Sequence, residues 1–487
     1  MRVRSIFTAL CICLFVFPVV LVAQGTILWA DTIDNGDDDQ AYGVAVDNSN
    51  NIIVTGYSFI GGSKDYFTVK YDSNGTILWA DTLDNGGDDW AYAVAVDNSN
   101  NIIVTGKSEI GSNDDYFTVK YDSNGTILWA DTIDNGDNDI ALGIAADNSN
   151  NIIVTGYSFI GGDNDYFTVK YDSNGTILWA DTLDNSDNDY AHSVAVDNSN
   201  NIIITGGSSE WVFGDYFTVK YDSNGTILWA DTIDNGYDDY ANGVAVDNSN
   251  NIIVTGASYI TGAYTADYFT VKYDSNGTIL WADTIDNGHH DVATGVAADN
   301  SNNIIVTGVS FIHVGGGEYL TVKYDSSGTI QWADTVDNGW FDVARGVAVD
   351  NSNNIIVTGD FYLYNDDNDY LTIKYAPNSG ISEDEGSGVL SGPTLCDIYP
   401  NPFGDKVEIR LMIEDERWKM GDISLRIYDL TGRCIKSFSL PTTHSLLPTV
   451  VSWDGRNNAG EKVTSGVYFL RFDAGDYKET KQLLLLR

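Results

Sequence analysis

Gly25-Thr-Ile-Leu-Trp-Ala-Asp-Thr32 opens a block of about fifty residues that the chain writes seven times, its tryptophan falling at Trp29, Trp79, Trp129, Trp179, Trp229, Trp281 and Trp332. Repeats of this period belong to solenoids and propellers. The content of one block decides between them. In the first block, Thr26 to Thr32, Ala41 to Val46, Asn51 to Tyr57 and Asp65 to Tyr71 are rich in β-branched and aromatic residues and are bounded by Asp, Asn, Ser and Gly. Each block therefore reads as four short strands. Asp72-Ser-Asn-Gly75 suits a tight hairpin with Gly in the left-handed position, and Asp47-Asn-Ser-Asn-Asn51 can use Asn for the same purpose.

Ile52, Ile53 and Val54 are consecutive, which fits strands covered on both faces. The array starts on a lone tryptophan strand and stops at Asp369 to Tyr375 without one, so the first strand can pair with the last. The expectation is an all-β fold, a seven-bladed β-propeller over residues 24–375 with a closed ring and no large exposed sheet edge. An open β-solenoid is the alternative, but it needs end caps not evident here.

Ala41-Tyr-Gly-Val-Ala-Val-Asp47, Asn51-Ile-Ile-Val-Thr-Gly56 and Asp65-Tyr-Phe-Thr-Val-Lys-Tyr-Asp-Ser-Asn-Gly75 resemble the SBBP-type bacterial β-propeller repeat, over roughly residues 25 to 375. The resemblance implies a fold and leaves function open. Asn50 stands where that family usually places Gly, a swap the left-handed conformation tolerates.

At the N-terminus, Arg2 and Arg4 precede an apolar run from Ile6 to Val22, and Leu21-Val-Ala23 offers a cut before Gln24. Residues 1–23 read as a secretory signal peptide, and no other stretch is long and apolar enough to span a bilayer. Cys11 and Cys13 leave with it, so Cys396 and Cys434 remain and could pair in an oxidising compartment. Residues 376–393 are a polar, glycine-containing linker.

Ile398-Tyr-Pro-Asn-Pro-Phe403, Ser424-Leu-Arg-Ile-Tyr-Asp-Leu-Thr-Gly-Arg433, Val451-Ser-Trp-Asp-Gly455 and Gly466-Val-Tyr-Phe-Leu-Arg-Phe472 read as strands of a small β-sandwich over 394–487. These segments resemble the C-terminal sorting domain of type IX secretion substrates. The resemblance implies type IX-like secretion machinery as a partner and delivery to the cell surface or the medium. Tyr399, Pro400, Asn401, Pro402, Gly432, Gly466, Val467 and Tyr468 are the residues it marks.

Charge is lopsided. Residues 24–380 hold ten of the chain's Lys and Arg against fifty-four of its Asp and Glu. Such a surface repels nucleic acid and anionic membranes, attracts cations and favours solubility.

Differences among the seven blocks collect in the crossover to the innermost strand and in the loop between the second and third strands, which propeller topology puts on one face. Trp90, Tyr190, Trp211, Phe213, Tyr240, Tyr264, Trp340, Phe341 and Tyr362 lie there among carboxylates. Aromatic faces beside carboxylates suit sugar rings, or they pack the loops on one another. An Asp precedes every inner strand, at Asp39, Asp89, Asp139, Asp189, Asp239, Asp291 and Asp342. These could ring the channel mouth, either fixing the turn by accepting backbone N–H bonds or, with Asp34 and Asp37, coordinating calcium. One Lys per block, Lys70 in the first, is expected to share a face with the tryptophan and to sit near an Asp, with Thr68 opposite Trp79. The tryptophans are expected to be the main contacts between blades.

No His-Glu-x-x-His, Gly-x-Ser-x-Gly or phosphate-cradling loop occurs, and His289, His290, Asp291 and His313 make a poor metal set. The reading is a secreted or surface binding module for an extracellular glycan or protein. A carbohydrate-active enzyme and a structural or adhesive surface protein are the alternatives.

Overall fold

The computed structural model describes residues 26–185, 188–210, 213–259, 265–287, 289–313, 316–337, 341–362 and 368–377, and in the tail 394–399, 404, 406–412, 423–429, 433–438, 449–474 and 477–485. The signal-peptide, Trp211, Tyr264, Trp340, Pro400, Asn401, Pro402, Gly432 and most of the linker expectations lie outside these residues.

Seven four-stranded antiparallel sheets form the propeller. Blade 1 is Asp39–Val46, Ile52–Ile60, Ser63–Tyr71 and Ile77–Leu83, from the innermost strand outward. Blade 7 takes three strands from the last block and its fourth from Ile27–Ile33, which pairs with Asn368–Tyr375. The second and third strands run longer than the sequence suggested. Phe59 pairs with Lys64 and Ile60 with Ser63, because Gly61 and Gly62 at positive φ turn the chain at once.

Blades interlock through aliphatic and tyrosine side chains. Ile53 and Tyr66 of blade 1 join a buried cluster with Ile102, Val104, Phe117, Val119 and Tyr121 of blade 2. The Tyr66 hydroxyl donates to the Phe117 carbonyl at 3.0 Å, and the Tyr370 hydroxyl closes the ring on Phe67 at 3.4 Å. These residues, rather than the tryptophans, form the main contact between blades. Trp79 is half-buried on the outermost strand and meets Tyr121 of the next blade at 5.9 Å; only Trp332 of the seven is fully buried.

On the hairpin, Lys70 faces Trp79 directly and Thr68 faces Asp81, two residues from the expected register. Lys and Trp still share a face. The Lys70 ammonium bonds Asp47 at 2.9 Å and the Ser123 carbonyl of blade 2 at 3.1 Å, so one buried cation ties its strand to two turns. Beside it runs a belt of asparagines. Asn50 and its six counterparts adopt φ near +62°, and the Asn50-type amide oxygens accept from the preceding blade's turn, ending with Asn351 on Asn50 at 3.0 Å.

The tail has two sheets, one of three strands and one of four. They enclose Val407, Ile409, Leu425, Ile427, Trp453, Leu470, Phe472, Leu483 and Leu485. Tyr399 ends the strand Thr394–Tyr399, and Gly466 opens Gly466–Ala474 at φ +149°. Along that strand Tyr468 points into the sandwich core, while Val467 packs with Trp332 and Val336 of the propeller. Cys434 is an exposed free thiol, and the side chain of Cys396 lies outside the described residues. Among the described residues no helix is long and apolar enough to cross a membrane.

Candidate functional site

Each inner strand carries a β-bulge just after its first alanine. In blade 1, Ala41 pairs with Gly56 and Gly43 with Thr55, leaving Tyr42 without a partner in the ladder. The same irregularity leaves Tyr92, Leu142, His192, Asn242, Thr294 and Arg345 unpaired in the other six blades. A bulge re-aims the extra side chain, so one scaffold presents six kinds of side chain at seven equivalent positions. Sequence reading passed over this column because it sits inside a strand; tabulating each position across the blocks would have exposed it.

The variable loop of one blade folds onto the crossover into the next. The Lys64 backbone N–H donates to the Asp88 carboxylate at 3.0 Å and the Gly214 N–H to Asp238 at 3.1 Å. At the first seam this gathers an aromatic cluster. Tyr57 and Trp90 rings lie 4.7 Å apart, Tyr42 and Tyr92 meet edge to face at 5.1 Å, and Trp90 is 6.0 Å from Tyr92. The Trp90 indole N–H is buried without an acceptor. Lys64 sits 4.6 Å and Lys107 5.0 Å from the Trp90 ring, and Arg345 lies 4.6 Å from Tyr42. Arg345 is held by an ion pair to Asp360 and Lys107 by one to Asp114 at 2.9 Å. Burial pushes the Tyr42 and Tyr57 hydroxyls up, so both stay protonated donors at neutral pH.

Ten cationic side chains occur in residues 24–380. Seven are the Lys70-type residues bound to buried carboxylates on the opposite face. The other three are Lys64, Lys107 and Arg345, and all three converge on this cluster.

Further round the face, Tyr190 packs edge-on against Tyr157 at 4.8 Å and takes a hydrogen bond from Asn164. Tyr240 is 39% exposed above Gly214, and Phe341 is 37% exposed against Phe311 at 5.6 Å. Tyr362 pairs with Phe341 in register, and Phe213 begins the third strand of blade 4. Here the bulge groups are occupied: His192, Asn242 and Thr294 donate to carbonyls of the next blade. His290 accepts the Ala266 N–H. The site residues named from sequence therefore scatter round the whole face, and among the described ones only Trp90 sits with the cations.

The seven aspartates at the inner-strand starts are buried beneath the crossovers rather than ringing an open mouth. The Asp39 carboxylate accepts the Asn35 N–H at 2.6 Å and Asp89 that of Asn85 at 2.7 Å. Sequence reading missed their partners at the start of each third strand. Burial, with Asp134, Asp139 and Asp114 nearby, holds Asp115 at about 6; burial with Asp184, Asp163 and Asp189 does the same for Asp165. Two crevices of the opposite face, one lined by Trp229, Asn250 and Asn276 and one by Trp29, Asn50 and Asn74, hold ion-paired lysines already satisfied within the fold.

Residues 397–485 match the secretion system C-terminal sorting domain family. This type IX sorting tail directs the chain to the cell surface or the outer environment. The chain is 32% identical over 119 residues to an uncharacterized WD repeat-containing protein of Acanthamoeba polyphaga mimivirus, covering 21% of this chain and 8% of that relative's length. PorZ, a surface component of the type IX secretion system of Porphyromonas gingivalis, is similar in structure at 15% identity and TM-score 0.40, over 97% of this chain and 61% of PorZ. The polysaccharide lyase Uly1 is similar at 10% identity and TM-score 0.46, over 71% of this chain and 92% of that one.

Proposed function

We propose that this exported propeller is a recognition protein that binds an acidic extracellular glycan on its variable face, without turnover. One observation carries the reading: in a domain with a large excess of carboxylates, every cation outside the repeated framework stands on the Tyr42, Tyr57, Trp90 and Tyr92 cluster. Flat aromatic faces stack on pyranose rings, and ammonium and guanidinium groups pair with a uronate or sulfate.

Calorimetric titration with uronic-acid-containing and neutral oligosaccharides of equal length tests this. Acidic ligands are expected to bind, and Trp90→Ala to weaken them about tenfold or more, a loss of ~1.5 kcal/mol typical of one stacking contact. Trp229→Ala, in the opposite crevice, leaves affinity unchanged. Equal binding of neutral and acidic ligands, loss of binding in Trp229→Ala alone, or release of shortened products overturns the reading.

A further inference from the structure

We infer that the seams beneath the variable face hold divalent cations, calcium by donor chemistry, each in a three-carboxylate cradle shared by two consecutive blades. One carboxylate comes from the start of a blade's third strand, one from the crossover, and one from the first residue of the next inner strand. The triads are Asp65 with Asp84 and Asp89, Asp115 with Asp134 and Asp139, Asp165 with Asp184 and Asp189, and Asp215 with Asp234 and Asp239. Asp369 with Asp34 and Asp39 continues the series across the ring closure. In each, one oxygen per residue lies within 4.8 Å of the others. No two of these oxygens are farther apart than twice a Ca²⁺–O distance of ~2.4 Å, so an ion bridging any two of them lies beside the third.

Carboxylates alone would not make a site. The decisive feature is the third-strand aspartate. Asp115 and Asp165, 4% and 3% exposed, each bury a carboxylate oxygen that has no hydrogen-bond partner. A buried carboxylate oxygen left unpaired is costly, and the charges bearing on Asp115 are themselves carboxylates. A cation removes both penalties.

The rest of the cradle is held in place. The Asp134 carboxylate accepts the Gly136 N–H at 2.7 Å, and Asp139 takes the Asn135 N–H and the Ser158 hydroxyl. Asp134 is exposed while Asp115 and Asp139 are buried, so the ion has an entry from solvent. All donors are oxygen, without His or Cys, which favours a hard cation over zinc. Surface export places the sites among extracellular modules, whose calcium affinities are ~0.1–1 mM.

The test is calcium binding to the exported protein after chelator stripping, followed by equilibrium dialysis against CaCl2 in sodium chloride buffer. At least two ions should bind saturably, one in the Asp115 cradle and one in the Asp165 cradle, with a rise in the thermal midpoint. Asp134→Asn keeps the acceptor for Gly136 and should lose one ion from the stoichiometry; Asp184→Asn reads the same loss at the next seam should the first variant fold poorly. No saturable binding, or an unchanged stoichiometry in a folded variant, overturns the inference.

Discussion

Lys170→Met tests the framework most directly. The Lys170 ammonium is 2.9 Å from Asp147 and 3.2 Å from the Ser223 carbonyl of the next blade, and both side chains of the ion pair are buried. Methionine fills the stem's volume but leaves the Asp147 carboxylate buried without its cation. Breaking one partner of a buried pair costs ~3–5 kcal/mol. Asp147 keeps bonds from the Ser149 and Asn151 backbone N–H groups and the Asn151 amide, so the lower end, ~3 kcal/mol, is expected. An unfolding entropy of about 2 cal/mol/K per residue over roughly 350 residues gives ~0.7 kcal/mol/K, and a fall in midpoint of about 4 °C. Differential scanning calorimetry reads this. Adding Asp147→Asn should recover about half the loss, because no buried charge then remains. A single variant within about 1 °C of the parent would refute the account of this lysine as the tie between turns.

Other outcomes follow from the same packing. Trp332→Ala, removing the one fully buried repeat tryptophan, should cost ~3–5 kcal/mol, and the half-buried Trp129→Ala clearly less, by thermal melts of both. Gly156→Ala would place a methyl 1.9 Å from the Ile140 carbonyl oxygen and 2.7 Å from the Tyr116 hydroxyl, so soluble yield should collapse. In chelator, Asp115 and Asp165 at about 6 and Asp267 at about 7 are raised above their unfolded values. The fold favours their protonated forms, so stability is expected to fall as pH rises from about 4 to 7. The lowered carboxylates Asp97 and Asp147 act with the opposite sign, below about 4. A melting profile flat from about pH 4.5 to 7.5 in chelator would contradict this.

Much of the fold was legible because near-identical blocks repeat every local signal seven times. Four strands, the Asn and Gly turns and the closing strand Ile27–Ile33 all follow from local residue chemistry. The site was less legible because its members meet across seams. Lys64, Trp90 and Arg345 belong to different blocks, and nothing in their spacing announces that they converge. Asp65 and Asp115 were hidden inside an Asp-Tyr-Phe-Thr-Val-Lys-Tyr string, identical in the first five blocks, that reads as plain strand. Tyr42 and its counterparts were hidden by a bulge, which depends on backbone geometry rather than on residue preference.

The closing seam carries a lesson about size. Lys374 reaches the Ser73 carbonyl at 3.1 Å, as Lys70 reaches Ser123, and Asn351 meets Asn50 with the same geometry as Asn48 meets Asn100. The seam between the last blade and the first thus repeats the framework contacts of an internal one, while at the seam before it Lys323 reaches the Pro377 carbonyl at 3.0 Å in place of a hairpin serine. Genetic gain or loss of a whole module would leave a first strand, Ile27–Ile33, still matched to the third strand of whichever block comes last.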